Sequence, residues 1–330
     1  MQYRNLGRTG VQVSELCLGC MNFGGATEEE ESCRIVDRAI DAGINFLDTA
    51  NVYSRGRSEE VVGNALKRNG KRDQIVLATK VHGRMDDDDP NAAGNSRRHI
   101  IEQCHASLRR LQTDHIDLYQ IHRPSSTVPI DETLQALDDL IRAGKVRYIG
   151  TSTFAAWQVL ESLWISKELG LNRFICEQPP YHLLDRRVER ELIPMAQTYG
   201  IGIIPWSPLA GGFLTGKYKR GEDRPQEARW AKSGDLHFQP ASFKVAETVE
   251  SIAKKKECSA TQVALAWCVQ QPGVTSPIIG PKSMAQLEDN LGAVDVQITD
   301  ADRKRFDKVS EPGRAIVPYY RADFGPHQYR

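Results

Sequence analysis

Eight strand-like apolar runs, each followed by a stretch of helical periodicity, succeed one another along the 330 residues of this chain. The runs are SELCLG (14–19), INFLDTA (44–50), QIVLATK (74–80), IDLYQIH (116–122), RYIGTS (147–152), FICEQ (174–178), GIIPWS (202–207) and TSPIIG (275–280). Their helical partners fall at 28–42, 58–69, 97–111, 131–143, 154–169, 185–199, 241–257 and 283–291. A strand that returns parallel to its neighbour needs a crossover, and a helix commonly supplies it. Eight such units exceed the five or six strands of most open doubly wound sheets, and they predict a closed (β/α)8 TIM barrel of the α/β class. Barrels of this kind run past about 250 residues as one unit, so a single domain over 1–330 is expected.

Three segments fall outside the eight units. Residues 2–13, with Gly-Arg-Thr-Gly between two extended runs, predict an N-terminal β-hairpin across the barrel floor. Residues 210–240 form a long loop after strand seven, rich in glycine and charge, of the kind expected to act as a lid. An extra helix is expected at 259–271, and a C-terminal one at 300–309 before a tail rich in Tyr, Arg and Pro.

Lys plus Arg balances Asp plus Glu at 43 each, so no net field draws the chain to nucleic acid or an anionic membrane. No run approaches the ~18 uninterrupted apolar residues of a membrane span, and the start lacks a signal-peptide pattern. Seven cysteines, an odd number, fit reduced thiols, and a cytoplasmic location is expected. Cys17 and Cys20 form a C-x-x-C inside a strand, which sends residues three apart to opposite faces. They are expected to be core residues, with no metal site.

Closure of a barrel places chemistry at the C-terminal ends of its strands. Strand two ends in Asp48, with Tyr53 just into its loop; strand three ends in Lys80 and strand four in His122. Alone, such an Asp is commonly a cap, such a His a satisfied structural group, and such a Lys reaches solvent. Together on three consecutive strands they form a proton-donating centre. A free phenol has a pKa near 10; a neighbouring ammonium lowers it, and a carboxylate keeps that ammonium charged and oriented. The acidic run Asp86–Asp89, on the same side of the barrel, reads as a solvated loop. His82, Trp157, Tyr181 and His182 are further pocket candidates without a role.

NLGRTGVQVSELCLGCMNFGG (5–25), LDTANVYSRGRSEEVVGNALK (47–67), VLATK (76–80), LYQIH (118–122) and PIIGPKSMAQLEDNLGA (277–293) resemble, in order and spacing, the aldo-keto reductases. SPLAGGFLTGKY (207–218) is similar to the bacterial and potassium-channel β-subunit-like branch of that family. The resemblance implies an NADP-dependent oxidoreductase that reduces an aldehyde or ketone to an alcohol. Tyr53 would be the general acid, Lys80 and Asp48 its tuning pair, and His122 the group that orients the substrate oxygen. No strand is followed by G-x-G-x-x-G, so the cofactor, NADPH, is expected to sit outside a Rossmann motif. By resemblance Ser152, Thr153 and Gln178 hold the nicotinamide amide and Trp206 stacks on the ring, although Thr153 stands where the family usually has Asn. Ser207, Leu209, Gly211, Gly212 and Lys217 are the expected pyrophosphate contacts. Gly280, Lys282 and Ser283 open a helix and suit a ribose 2′-phosphate, with Gln286 and Asn290, and more weakly Asp289, beside the adenosine. The implied partner is a small-molecule carbonyl substrate, with neither nucleic acid nor membrane; a homo-oligomer is compatible with this reading. Two alternatives stay open: an NADPH-binding regulatory subunit of a membrane partner, and an alcohol or sugar dehydrogenase running oxidatively.

Overall fold

The computed structural model describes residues 1–226, 229–233 and 235–319. The expected lid therefore lies outside the described residues at 227, 228 and 234, as does most of the Tyr/Arg/Pro-rich tail, at 320–330. Strands β1 (Tyr3–Asn5) and β2 (Gln12–Ser14) pair antiparallel, Tyr3 opposite Ser14, as the floor hairpin. Its Leu6 and Val13 are buried against Phe46, Ala78, Leu118, Cys176 and Ile204, so the hairpin plugs the bottom of the barrel with apolar side chains.

Eight parallel strands form the barrel: β3 (Cys17–Gly19), β4 (Phe46–Asp48), β5 (Val76–Val81), β6 (Ile116–Ile121), β7 (Val146–Ser152), β8 (Cys176–Gln178), β9 (Gly202–Ile203) and β10 (Ile278–Ile279). They run in sequence order, with β10 beside β3. Between β9 and β10 the barrel closes through bonds flanking the strands: Thr275 N–H donates to the Ile203 carbonyl at 2.7 Å and Ile278 N–H to that of Pro205 at 2.8 Å. The last three strands are short for a reason written in the sequence. Pro179, Pro180, Pro205 and Pro277 stand at their ends, and a proline has no N–H to give a ladder.

Helices α1 (Glu29–Asp41), α2 (Arg57–Asn69), α3 (Arg97–Leu111), α4 (Ile130–Arg142), α5 (Ala156–Leu169), α6 (Leu192–Tyr199), α7 (Pro240–Lys255) and α9 (Met284–Leu291) follow the strands in turn. The extra helices are α8 (Ala260–Val269) and α10 (Asp300–Val309). Outward strand residues such as Leu47, Leu77 and Ile149 pack with Val62, Ile100, Leu137 and Val159 from the helices. Cys17 lies in the barrel interior and Cys20 in this outer layer, opposite faces as the two-residue period requires.

One helix is shorter than expected. The periodicity predicts 185–199, whereas α6 starts at Leu192. Pro194 is tolerated in the first turn of α6 but would clash with the carbonyl four residues back in a longer helix. The excluded segment instead meets the C-terminal chain: Asp185 bridges to Ala315, and its carboxylate pairs with Arg187 at 2.8 Å.

Candidate active site

Because side chains alternate along a strand, Asp48, Lys80, Gln120 and Gln178 all enter the barrel interior above the apolar plug. Lys80 is fully buried. Its ammonium contacts Asp48 Oδ1, donates to the Thr49 carbonyl at 2.8 Å, and lies 3.2 Å from the Tyr53 hydroxyl. Asp48 Oδ2 accepts from Gln120 Nε2 at 2.9 Å and Gln178 Nε2 at 3.0 Å. A buried ion pair is tolerable only when its remaining lone pairs and protons are satisfied, and here the two glutamines and one carbonyl do so. The His122 and Tyr53 rings meet edge to face, centroids 5.6 Å apart. All four residues expected to form the centre thus come together.

Tyr53 is presented by a left-handed turn: Ser54, Arg55 and Gly56 have φ of 47°, 53° and 94°. A β-carbon on Gly56 would stand 2.7 Å from Arg110 Cδ, whose guanidinium pairs with buried Glu59 at 2.6 Å, so glycine is required there. Thr153, Ser207 and Ala210, in the loops after β7 and β9, are also left-handed non-glycine residues. Such conformations persist only where their surroundings enforce them, and they gather at functional sites.

Electrostatics corrects one expectation. Burial pushes the Tyr53 phenol above its ordinary pKa, and the pull of Lys80 in the other direction does not overcome it. Lys80 loses to burial but gains more from Asp48 and Tyr53, ending raised and charged. Burial, followed by Lys80 and Arg123, holds His122 well below the usual histidine range, so its ring is neutral at pH 7. The resting centre is therefore a protonated phenol and a neutral imidazole beside an ammonium.

The expected cofactor contacts divide by region. Ser152 Oγ donates to the Gln178 carbonyl at 3.0 Å and lies 3.2 Å from Thr153 Oγ1, which in turn accepts from Arg123 at 2.9 Å. Trp206 borders this group, and its indole N–H is buried with no partner among the described residues. The Tyr319 ring stands edge-on to it, centroids 4.7 Å apart. Ser207 Oγ accepts from the Gly211 amide at 2.9 Å, and the Leu209 carbonyl accepts from the Gly212 amide at 2.9 Å. Gly212, at φ 91°, lets Lys217 Nζ reach 2.8 Å from where a β-carbon would stand. Burial first, then Lys282 and Arg229, depress the Lys217 pKa, which marks a cationic cluster suited to phosphate.

At the start of α9, Lys282 and Gly280 are exposed, but several amides expected to be free have protein acceptors. Lys282 N–H donates to Gln286 Oε1 at 2.9 Å, Met284 N–H to Glu31 Oε1 at 2.9 Å and Gln286 N–H to Ser283 Oγ at 3.4 Å. What this helix offers an anion is chiefly the Lys282 cation. Asn290 is buried on the same helix, with Asp289 partly exposed beside it.

Among the further pocket candidates, His82 is half-buried, with its Nδ1 2.8 Å from Asn95 Oδ1, and belongs to the rim. Trp157 is 46% exposed on α5, while Tyr181 and His182 are packed in the core. In the acidic run, Asp87 pairs with Arg55 at 2.6 Å. Gln120 and Arg123 escaped sequence reasoning. Gln120 had a signal, a polar residue two before His122 on the inward face of an apolar strand. Tyr319, far along the chain, had none.

A (β/α)8 barrel with Asp48, Tyr53, Lys80 and His122 gathered at the C-terminal ends of its second to fourth strands has its titratable groups on the face where barrel enzymes hold their chemistry. The profile of the Aldo/keto reductase family matches residues 15–311, and the chain belongs to that family. It is 40% identical over 306 residues to the "Uncharacterized oxidoreductase YrpG" of Bacillus subtilis (strain 168), covering 90% of this chain and 92% of that one. It is 38% identical over 304 residues, with the same coverage, to a "Probable voltage-gated potassium channel subunit beta" of Oryza sativa subsp. japonica. A protein of the same description from Arabidopsis thaliana has the same identity and coverage. Among the described residues no helix is long and apolar enough to cross a membrane, and no cluster of metal-ligating side chains occurs.

Proposed function

We propose that this protein reduces an aldehyde or ketone to an alcohol at the expense of NADPH, with Tyr53 as general acid. The observation that carries the reading is the Tyr53 hydroxyl 3.2 Å from an ammonium that is itself locked to Asp48. When bound, the reduced nicotinamide supplies a hydride. Tyr53, protonated across the neutral range, donates its O–H to the carbonyl oxygen, and Lys80 stabilises the phenolate left behind. Neutral His122 adds a hydrogen bond to the same oxygen. The orphaned Trp206 N–H, the left-handed Gly211–Gly212 turn and the Lys217–Lys282 cations fit a dinucleotide laid across β7 to β10. Lys282 supports NADPH over NADH, since only the former carries a 2′-phosphate. The complete proton-donating group favours an enzyme over a purely regulatory subunit, which the names of the plant relatives bring into view. Following NADPH and NADH oxidation over aldehydes, quinones and keto-sugars tests the reading; no turnover on any of them would overturn it.

A further inference from the structure

Beside the proton-donating group stands a cation that the reaction does not use. Arg123 follows His122 directly, is half-buried, and electrostatically influences Tyr53, His122 and His82. The other cation at the reacting group, Lys80, is matched by Asp48. Arg123 has no carboxylate within ion-pair distance among the described residues; its hydrogen-bond partners there are all neutral oxygens. Nη1 donates to the His122 carbonyl at 2.7 Å and Thr153 Oγ1 at 2.9 Å, while Nη2 donates to the Tyr319 hydroxyl at 3.3 Å.

A guanidinium has five N–H donors. Three are accounted for, which leaves Nε–H and one Nη2 hydrogen. Nε and Nη2 share one edge of the fork, the edge that can meet a carboxylate in two parallel hydrogen bonds. The three neutral contacts hold the group in one orientation, so little side-chain freedom would be lost on binding.

We propose that Arg123 is a specificity-determining residue that binds a carboxylate on the substrate, so that the preferred substrates are aldehydes or ketones bearing a carboxylate. This rests on the carbonyl-reduction reading above and refines its substrate class. In the reaction the carbonyl carbon gains hydride from the reduced nicotinamide, which is oxidised. The carbonyl oxygen gains the Tyr53 proton, and the substrate carboxylate stays ionised against Arg123. Tyr319, which reaches from Trp206 to Arg123, forms one wall of the same subsite.

The test compares kcat/KM for 4-oxobutanoate and butanal, an anionic and a neutral aldehyde of equal chain length, in the parent, Arg123→Gln and Arg123→Lys. A charge-assisted pair predicts a parent preference of about tenfold to a hundredfold for the anion. That ratio should collapse in Arg123→Gln and be partly kept in Arg123→Lys. An even-handed parent, or an equal loss on both aldehydes in Arg123→Gln, overturns the proposal. A second arm needs no turnover: 4-hydroxybutanoate is titrated calorimetrically onto parent and Arg123→Gln, each saturated with NADP+. Binding to the parent that Arg123→Gln weakens supports the subsite even if every aldehyde proves inert, in which case the carbonyl-reduction reading alone falls. Equal binding to both proteins overturns the subsite.

Discussion

Gln178 Nε2 lies 3.0 Å from Asp48 Oδ2. The same amide nitrogen donates to Gln120 Oε1 at 3.1 Å, so both of its hydrogens are spent inside the barrel. A residue expected only to grip the nicotinamide thereby also holds the Asp48 carboxylate that pairs with Lys80. It can offer a ligand amide its side-chain oxygen alone, as an acceptor for that amide's N–H.

Asp48 and Lys80 are 3% and 0% exposed, and removing one member of such a pair strands a buried charge. Asp48→Asn or Lys80→Met alone should each lower unfolding free energy by about 3–5 kcal/mol. The double variant should lose much less than the sum, because neither charge remains. Urea unfolding followed by circular dichroism measures all three; additive losses would mean that the pair is not a unit.

Tyr53→Phe removes the transferable proton and keeps the ring against His122. Turnover of model aldehydes should fall by about a hundredfold or more. NADPH fluorescence quenching should titrate nearly as in the parent. Retained turnover would take the acid role away from Tyr53.

The pH profile follows from the same two groups. A general acid works while protonated, and burial holds the Tyr53 pKa above 10.0, so kcat/KM should fall only at strongly alkaline pH. His122, held well below 6.5, should produce no break in the ordinary histidine range. A descending limb near neutral pH would contradict the protonated resting phenol.

The barrel, its hairpin, the three strand-end residues and Tyr53 just beyond one of them are legible because they depend on period and order, which the sequence carries directly. Less legible were features decided by distant chain. Asp185 lies off the expected helix where distant Ala315 bridges to it, and Tyr319 reaches Trp206 across more than a hundred positions. Burial sets the sign of the Tyr53 shift, and burial, unlike a charge partner, is not readable from sequence. At α9, Glu31 occupies an amide that looked free, a contact between the first and last helices of the strand–helix repeats.

Lys282→Ala tests the cofactor's phosphate. Lys282 N–H and Met284 N–H are already engaged, so the side-chain cation is the principal offering to a 2′-phosphate. The variant should bind NADPH about ten times more weakly, as expected for one charge-assisted contact, while NADH binding changes little. Equal losses, read by fluorescence titration of both nucleotides, would argue against a 2′-phosphate at this position.

Glu177 points away from the site, between the two strands that carry Ser152 and Gln178. It is fully buried, Oε1 accepting from the Phe154 amide at 3.1 Å and Oε2 lying 2.5 Å from Thr151 Oγ1. Burial raises its pKa from 4.5 to about 8. Below pH 4.5 both folded and unfolded chains hold this proton. Between 4.5 and about 8 the unfolded chain releases it while the native one does not, so this group makes stability fall as pH rises, by up to about 1.4 kcal/mol per unit. His182, depressed by burial to about 4, acts oppositely below 6.5, because there only the unfolded chain takes up the proton. Glu177→Gln keeps a donor for Thr151 and an acceptor for Phe154 but cannot ionise, and it leaves His182 in place. The variant-minus-parent stability, from urea unfolding at several pH values, should therefore climb steadily from pH 5 to pH 8. Parallel curves would mean that Glu177 is ionised in the native protein throughout, and that the left-handed Thr153 beside it is braced by a carboxylate, not by its acid.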